Sequence, residues 1–475
     1  MKIALVYPPT TVYEGDPSKG SQIIPLGLAY IGAVCEKEHE VRIFDFSASD
    51  NVEIHNGHTY YGTPKIEILA ELHAYKPDIL GIQCMYSAYA EDAYEIARIG
   101  KMLGCLTVMG GAHASACYLE VLKNPEVDLV VIGEGEETFL EIIQKFANKE
   151  NLSNIRGTAG NGLRPLIKNI DTLPFPALHL LPIKQYLTKN RDALFNMRSA
   201  MFVITSRGCP YNCKFCSVRS VWKGWRYHSP ERVVDEIEAL INNYHIGEIH
   251  FVDDNIAVDL QRLENICDEL IKRKVNIKWT TPNGITIWTL TEKVLEKMKQ
   301  SGCYRLTFGI ETACKKTQEY IRKTHIDLKR AKEIIRKANE LGIWTLSTFI
   351  IGFPDETQED ILETINFAVK SELDFAFFFL PMLFPHTDMT EDYRQRGLLE
   401  REGKFLSGRC GVSTLHLTGE ELNVVQKNAY SRMIKSRIKR PFKVLEKIKS
   451  LEDLRYCTKL AVKGIKYAIN HYTGS

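Results

Sequence analysis

Residues 201–217 read Met-Phe-Val-Ile-Thr-Ser-Arg-Gly-Cys-Pro-Tyr-Asn-Cys-Lys-Phe-Cys-Ser. The opening run is apolar and β-branched, the pattern of a short buried strand, and a loop carrying Gly208 and Pro210 follows it at once. On that loop stand Cys209, Cys213 and Cys216. Three thiols this close can wrap one compact metal centre but cannot pair off as disulfides. A structural zinc site wants four Cys or His ligands in paired spacing. No fourth ligand lies nearby, since the next cysteine after Cys216 is Cys267 and His228 is also remote. The loop therefore reads as the seat of a 4Fe-4S cluster in which one iron lacks a protein ligand and can bind a small molecule.

Outward from this loop the strand-then-helix pattern repeats. Candidate strands cover 202–205, 248–252, 277–281, 304–310, 346–352 and 375–383, and helical periodicity fills 231–244, 260–273, 292–300, 329–341 and 358–370. Six such units predict a partial barrel of the TIM type, whose active residues sit at the carboxyl ends of the strands. The cysteine loop falls there after the first strand. Polar residues follow the others: Asp253-Asp254-Asn255, Asn283, Glu311, and Gly352-Phe-Pro-Asp-Glu356.

Upstream, residues 1 to about 150 alternate apolar strands (2–7, 40–46, 79–85, 106–110, 129–133) with helical stretches near 26–36, 64–74, 88–103 and 137–146. This is the pattern of a five-stranded doubly wound α/β domain, which binds ligands at the carboxyl ends of its strands. The loops that converge there are Pro8-Pro9, Pro25-Leu-Gly27, Met85-Tyr-Ser87, Gly110-Gly111-Ala-His113 and Gly133-Glu134-Gly135. Their glycines permit tight turns and close backbone approach to a bulky ligand, although each could equally just end a strand.

Cys-x-x-x-Cys-x-x-Cys with Phe215 before the last cysteine resembles the cluster loop of radical S-adenosylmethionine enzymes. The resemblance implies that the open iron chelates the methionine part of S-adenosylmethionine and that cluster reduction yields a 5′-deoxyadenosyl radical. Residues 1–150 resemble the cobalamin-binding domain that precedes this module in one branch of the family, through Pro25-Leu-Gly-Leu-Ala-Tyr-Ile31, Lys76-Pro-Asp-Ile-Leu-Gly-Ile82, Gly110-Gly-Ala-His-Ala-Ser115 and Gly133-Glu-Gly-Glu-Glu137. The Asp-x-His-x-x-Gly motif that supplies a lower axial histidine to cobalt is absent, so His113 is expected to be a locally bonded loop histidine. Cobalamin contacts are then expected at Ser87, Gly110, Gly111, Gly133 and Glu134. By the same resemblance Phe215 and Asn255 belong to the cofactor site, Asp254 faces the methionine amine, and Glu311 contacts ribose or amine. Ile350 and Gly352 border the adenine. Two departures stand out: Val252-Asp-Asp replaces the usual Gly-Gly-Glu, and Thr312-Ala313 replaces Ser-Gly. Arg226 also matches the branch and reads equally as a rim charge.

With 475 residues, 44% hydrophobic and 25% charged, the chain has material for two or three cores, and a net charge of +2 gives no reason to expect nucleic acid. Twelve cysteines without a signal-peptide pattern suit a reducing, cytoplasmic setting. Cys35, Cys84, Cys105 and Cys117 invite comparison with methylthiotransferases, which hold a second cluster on N-terminal cysteines, but their strand and helix positions read as core packing. The expected organisation is a cobalamin-binding unit at 1–150, a linker at 151–200, the barrel at 201–388 and a helical basic region at 389–475. From Lys427 to Lys466 nine lysines and four arginines face three acids. That segment either docks on the barrel or makes peripheral contact with an anionic membrane.

The expected activity is cobalamin-dependent methylation of an unactivated carbon on a small-molecule, lipid or peptide substrate, with an electron donor such as flavodoxin or ferredoxin. The alternatives are a radical cyclase, ring-contraction or oxidation enzyme acting on a lipid or tetrapyrrole, a methylthiotransferase-like enzyme, and a non-catalytic cluster and cobalamin sensor.

Overall fold

Apolar runs long enough for one strand, each ended by glycine or a polar cluster, build two parallel sheets. The computed structural model describes residues 1–13, 23–193, 196–399, 411–440 and 445–472. In the first sheet the strand order is Glu40–Asp45, Lys2–Tyr7, Ile79–Gln83, Leu106–Gly110, Leu129–Val130, all parallel. This doubly wound order reverses direction between Lys2–Tyr7 and Ile79–Gln83, where such sheets open a ligand crevice. Ile3, Ala4, Leu5 and Val6 are all buried, as a strand covered on both faces requires. The helices Leu26–Cys35 and Glu136–Ala147 cover one face, and Lys65–Tyr75 and Ala90–Met102 the other.

The second sheet has six parallel strands in chain order: Ala200–Val203, Glu248–Phe251, Lys278–Ile285, Cys303–Glu311, Trp344–Ile350 and Phe375–Phe379. It is the partial barrel the sequence predicts, with small shifts at the ends. The strand expected at 202–205 stops at Val203 because Asp253 captures Thr205 and Ser206 through their hydroxyls. The last strand, expected to reach 383, ends at Phe379, two residues before Pro381, which has no N–H to give a ladder.

Part of the stretch expected as a linker, 151–200, is firmly packed. Leu178, Leu181, Ile183 and Tyr186 are buried in the same apolar core as Leu5 of the first sheet and Met201 of the second. The Ala177 N–H donates to the Ala29 carbonyl and the Tyr186 hydroxyl to Asp45. An antiparallel sheet of Thr10–Tyr13, His58–Tyr61 and Val52–His55 was not expected, although its Asn56-Gly57 turn, both residues at positive φ, is a strong hairpin signal.

At the carboxyl terminus the helix Gly419–Ile438 lies on the last barrel strand, where Gln426 and Tyr430 both donate to the Phe378 carbonyl. The helix Leu451–Tyr472 places Tyr456 against Tyr304 and Trp344. The described basic segment thus docks in part on the barrel; Phe442 and Cys410 lie outside the described residues. Among the described residues no helix is long and apolar enough to cross a membrane.

Candidate functional site

The cysteine loop starts with a glycine that nothing else can replace. Gly208 has φ +86°, and a Cβ there would stand 2.0 Å from the Gly224 carbonyl oxygen. Its N–H donates to Asp254 at 2.9 Å, so the loop is tied to the end of the second barrel strand before the first cysteine. Further on, the Lys214 N–H donates to Ile321 O and the Met389 N–H to Lys214 O. Phe215 and Ile350 pack on the same small core of Ile321, Phe353, Met389 and Tyr393, which brings two of the expected cofactor residues together.

Cys209, Cys213 and Cys216 are half-buried, and burial pushes all three thiols up, Cys216 to about 12. Iron binding must therefore displace their protons. The Asn255 side-chain NH2 is buried without another partner among the described residues and favours the Cys209 thiolate. Among the described residues no group of three His, Cys, Asp or Glu side chains is arranged for a single metal ion. Three thiols on one tight loop suit a cube, which offers each sulfur its own iron. These residues fit a cluster.

The neighbouring carboxylates divide by environment. Asp253 is buried and accepts from the Thr205 and Ser206 hydroxyls and the Thr205 N–H, a structural clamp. Asp254 stays exposed to the cavity it lines, while the protein around it pushes its carboxyl up to about 6. Glu311 is buried with φ +64°, a left-handed backbone unusual outside glycine and characteristic of functional sites. It accepts from Lys323 at 2.8 Å and from Thr348 at 3.3 Å. Past the fifth strand Glu356 accepts from the Gly352 and Phe353 N–H groups and the Thr317 hydroxyl, which fixes the turn at Gly352. Burial pushes Glu356 up to about 7.

A cavity of about 430 Å³ lies between the two sheets, and both contribute to its wall. From the first sheet come Gly27, Gln83, Gly110, Gly111, Gly133 and Glu134; from the barrel come Ser206, Arg207, Ser217, Val252, Asp254 and Asn283. Gly111 must be glycine, since at φ +109° a Cβ would meet Cys84 O at 2.6 Å. The glycine-lined wall is a cradle into which side chains would otherwise project, as a large flat cofactor needs. Ser87 is not among the lining residues; its hydroxyl hydrogen-bonds His113 Nδ1 at 2.8 Å. His113, expected on a loop, lies in the short helix Ala112–Ala116, and burial lowers its pKa.

Glu134 lines the cavity as expected, held there by partners the sequence does not announce. Its carboxylate receives Arg207 and Arg226, each at 2.8 Å, and the Ile167 N–H at 2.9 Å. Arg207 also donates to Glu136 at 2.6 Å and lies over the rings of Tyr30 and Trp222. The residue before Gly208 is thus held by two first-domain carboxylates. Arg207, Glu136, Tyr30 and Lys323 were missed because their partners are remote in sequence. The four first-domain cysteines, Cys35, Cys84, Cys105 and Cys117, are buried.

Two family profiles match the chain, Radical SAM superfamily over residues 203–368 and B12 binding domain over 18–143. An uncharacterized methyltransferase of Pyrococcus horikoshii is 35% identical over 446 residues, covering 90% of this chain and 92% of its own length. The cytidylyl-2-hydroxyethylphosphonate methyltransferase of Streptomyces wedmorensis is 27% identical, covering 84% of this chain and 83% of itself. The anaerobic magnesium-protoporphyrin IX monomethyl ester cyclase of Rubrivivax gelatinosus is 27% identical over 69% of this chain and 60% of itself. Among solved structures, the radical S-adenosylmethionine methyltransferase TsrM from Kitasatospora setae, with cobalamin and a 4Fe-4S cluster bound, matches with a TM-score of 0.67 at 17% identity, covering 83% of this chain and 75% of that one. This likeness shows a shared fold.

Proposed function

Because the chain belongs to the radical S-adenosylmethionine superfamily, in the branch with an N-terminal cobalamin-binding domain, we propose that it methylates an unactivated carbon of a small-molecule substrate. Its cofactors are a 4Fe-4S cluster, S-adenosylmethionine and cobalamin. The observation that carries the methylation reading is the shared cavity: strand-end glycines of the cobalamin-binding domain and Asp254 beside the cluster loop line one wall. When bound, the cofactors supply the one-electron and methyl-transfer chemistry. The protein's share is placement and exclusion of water.

In this reading Cys209, Cys213 and Cys216 hold the cluster, and Asn255 hydrogen-bonds the first of these sulfurs. Asp254 receives the ammonium of S-adenosylmethionine and Glu311 its ribose or amine, while Ile350, with the turn at Gly352, borders the adenine beside Phe215. Gly110, Gly111 and Gly133 give cobalamin its close backbone approach; Glu134 steadies the wall through Arg207, and Ser87 does so through His113. Residues 1–150 form the cobalamin-binding unit, 201–388 the barrel, 151–200 the strap between them and 389–475 a helical closing region. A low-potential donor such as flavodoxin or ferredoxin supplies the electron.

The likeness to the cyclase supports a second reading, radical ring closure without methyl transfer. Both are tested by incubating the reconstituted enzyme with methyl-labelled S-adenosylmethionine and a small-molecule extract. A labelled product one CH2 heavier than its precursor supports methylation; an extract component consumed without gaining label supports cyclisation.

A further inference from the structure

Lys323 is a buried lysine beside the cluster loop, and none of the roles above uses it. It follows the helix Lys315–Tyr320 and is buried. Its ammonium donates to Glu311 at 2.8 Å and to the Gly309 carbonyl at 3.0 Å. It stands 5.8 Å from the centre of the Phe215 ring, between Cys213 and Cys216 in sequence, and 5.6 Å from that of Trp288. Lysine is seldom fully buried, and a buried ammonium needs compensation. Glu311 alone would neutralise it, but the pair is not symmetric about the loop. It is the ammonium of the pair that stands beside the Phe215 ring of that loop.

We propose that Lys323 is a positioning residue that raises the reduction potential of the cluster by holding a fixed positive charge beside the loop that ligates it. Reduction adds one negative charge to a group already ligated by three thiolates. A nearby cation in a poorly hydrated site stabilises the reduced form more than the oxidised one. The same ammonium steadies Glu311 in its left-handed backbone, so that one residue serves both the electron's destination and the carboxylate expected to meet S-adenosylmethionine. The inference rests on the cluster assignment, which the iron and sulfide content of the wild-type enzyme tests separately.

The experiment is a redox titration of the reconstituted full-length protein without S-adenosylmethionine, following the reduced-cluster signal by electron paramagnetic resonance. In Lys323→Gln the ratio of reduced to oxidised cluster at a fixed poise falls about tenfold, the size expected for loss of a partly screened charge at this range. Lys323→Arg keeps the wild-type potential. Glu311→Gln removes the opposing charge, leaves Lys323 in place and shifts the potential upward; this variant decides the matter if Lys323→Gln holds less iron. Opposite shifts in the two variants are the expected result. Unchanged potentials, or shifts of the same sign in both, would overturn the proposal, since a merely structural lysine would not move the potential according to charge.

Discussion

The two ends of the barrel carry equally polar side chains and treat them in opposite ways. At the amino ends of the strands Glu248 is fully buried, and its carboxylate receives the Tyr304 hydroxyl at 2.6 Å, the His250 ring at 2.8 Å and the Met197 and Arg198 N–H groups. Arg305 donates to Thr280 and to Tyr456, and Lys447 donates to Asn339, Ile343 O and Asp374. Each of these charges has found partners within the chain, several from the carboxyl-terminal helices. At the carboxyl ends Asp254 is exposed to a cavity, the Asn255 NH2 has no other partner among the described residues, and Glu311 sits on a left-handed backbone. Satisfied polar groups stabilise a closed end; groups left open or strained mark the end where something binds. The same strands thus separate stability from chemistry along their length.

Substitutions at the two ends should break function and stability separately. Cys213→Ala is expected to abolish the brown 4Fe-4S absorbance and all release of 5′-deoxyadenosine, while Cys117→Ala, in the first-domain core, leaves both intact; absorbance spectra and chromatography read the two. Glu248→Ala orphans four donors at the opposite end and should lower unfolding stability by about 4 kcal/mol. Its surviving folded fraction should still load the cluster, as iron content per folded protein will report.

Glu356→Ala sharpens the contrast, because this carboxylate lies at the active end yet is fully satisfied. It should cost about 3 kcal/mol in denaturant unfolding. Glu356 also imposes a pH dependence. Burial raises its folded pKa to about 7 from the 4.5 usual for a glutamate. Its contribution to stability is therefore fully present below 4.5 and is lost as pH rises through 7. Glu356→Gln should remove that slope, measured as stability against pH for both proteins. A smaller effect is expected of Asp254→Asn, about a tenfold loss of S-adenosylmethionine affinity by equilibrium dialysis with unfolding unchanged. Smallest is Tyr456→Phe, which deletes the hydroxyl that accepts from Arg305 and should cost about 1 kcal/mol with the cluster potential unaltered.

Much of this was legible in the sequence. Parallel strands buried on both faces read as unbroken apolar runs, and the cysteine spacing is a local pattern, so both sheets and the cluster loop could be placed. Residues whose partners come from afar were not. Lys323 looks like an ordinary charge in Arg322-Lys-Thr, and only the fold turns it toward Glu311 and Phe215. Arg207 owes its position to Glu134 and Glu136, about seventy residues earlier. The strap at 151–200 looked loose because thirteen Asn, Gly and Pro residues interrupt its apolar positions, yet Leu178 and Tyr186 are buried in the core shared by the two sheets.

The central claim is that one cavity serves a cluster on one side and cobalamin on the other. Anaerobic reconstitution of the full chain with iron, sulfide and hydroxocobalamin tests it most directly, followed by dithionite and S-adenosylmethionine, with bound cobalamin and released 5′-deoxyadenosine measured on the same sample. One cobalamin per chain together with 5′-deoxyadenosine is the predicted result. Release of 5′-deoxyadenosine from protein that retains no cobalamin would contradict the claim, leaving the first domain to serve some other ligand.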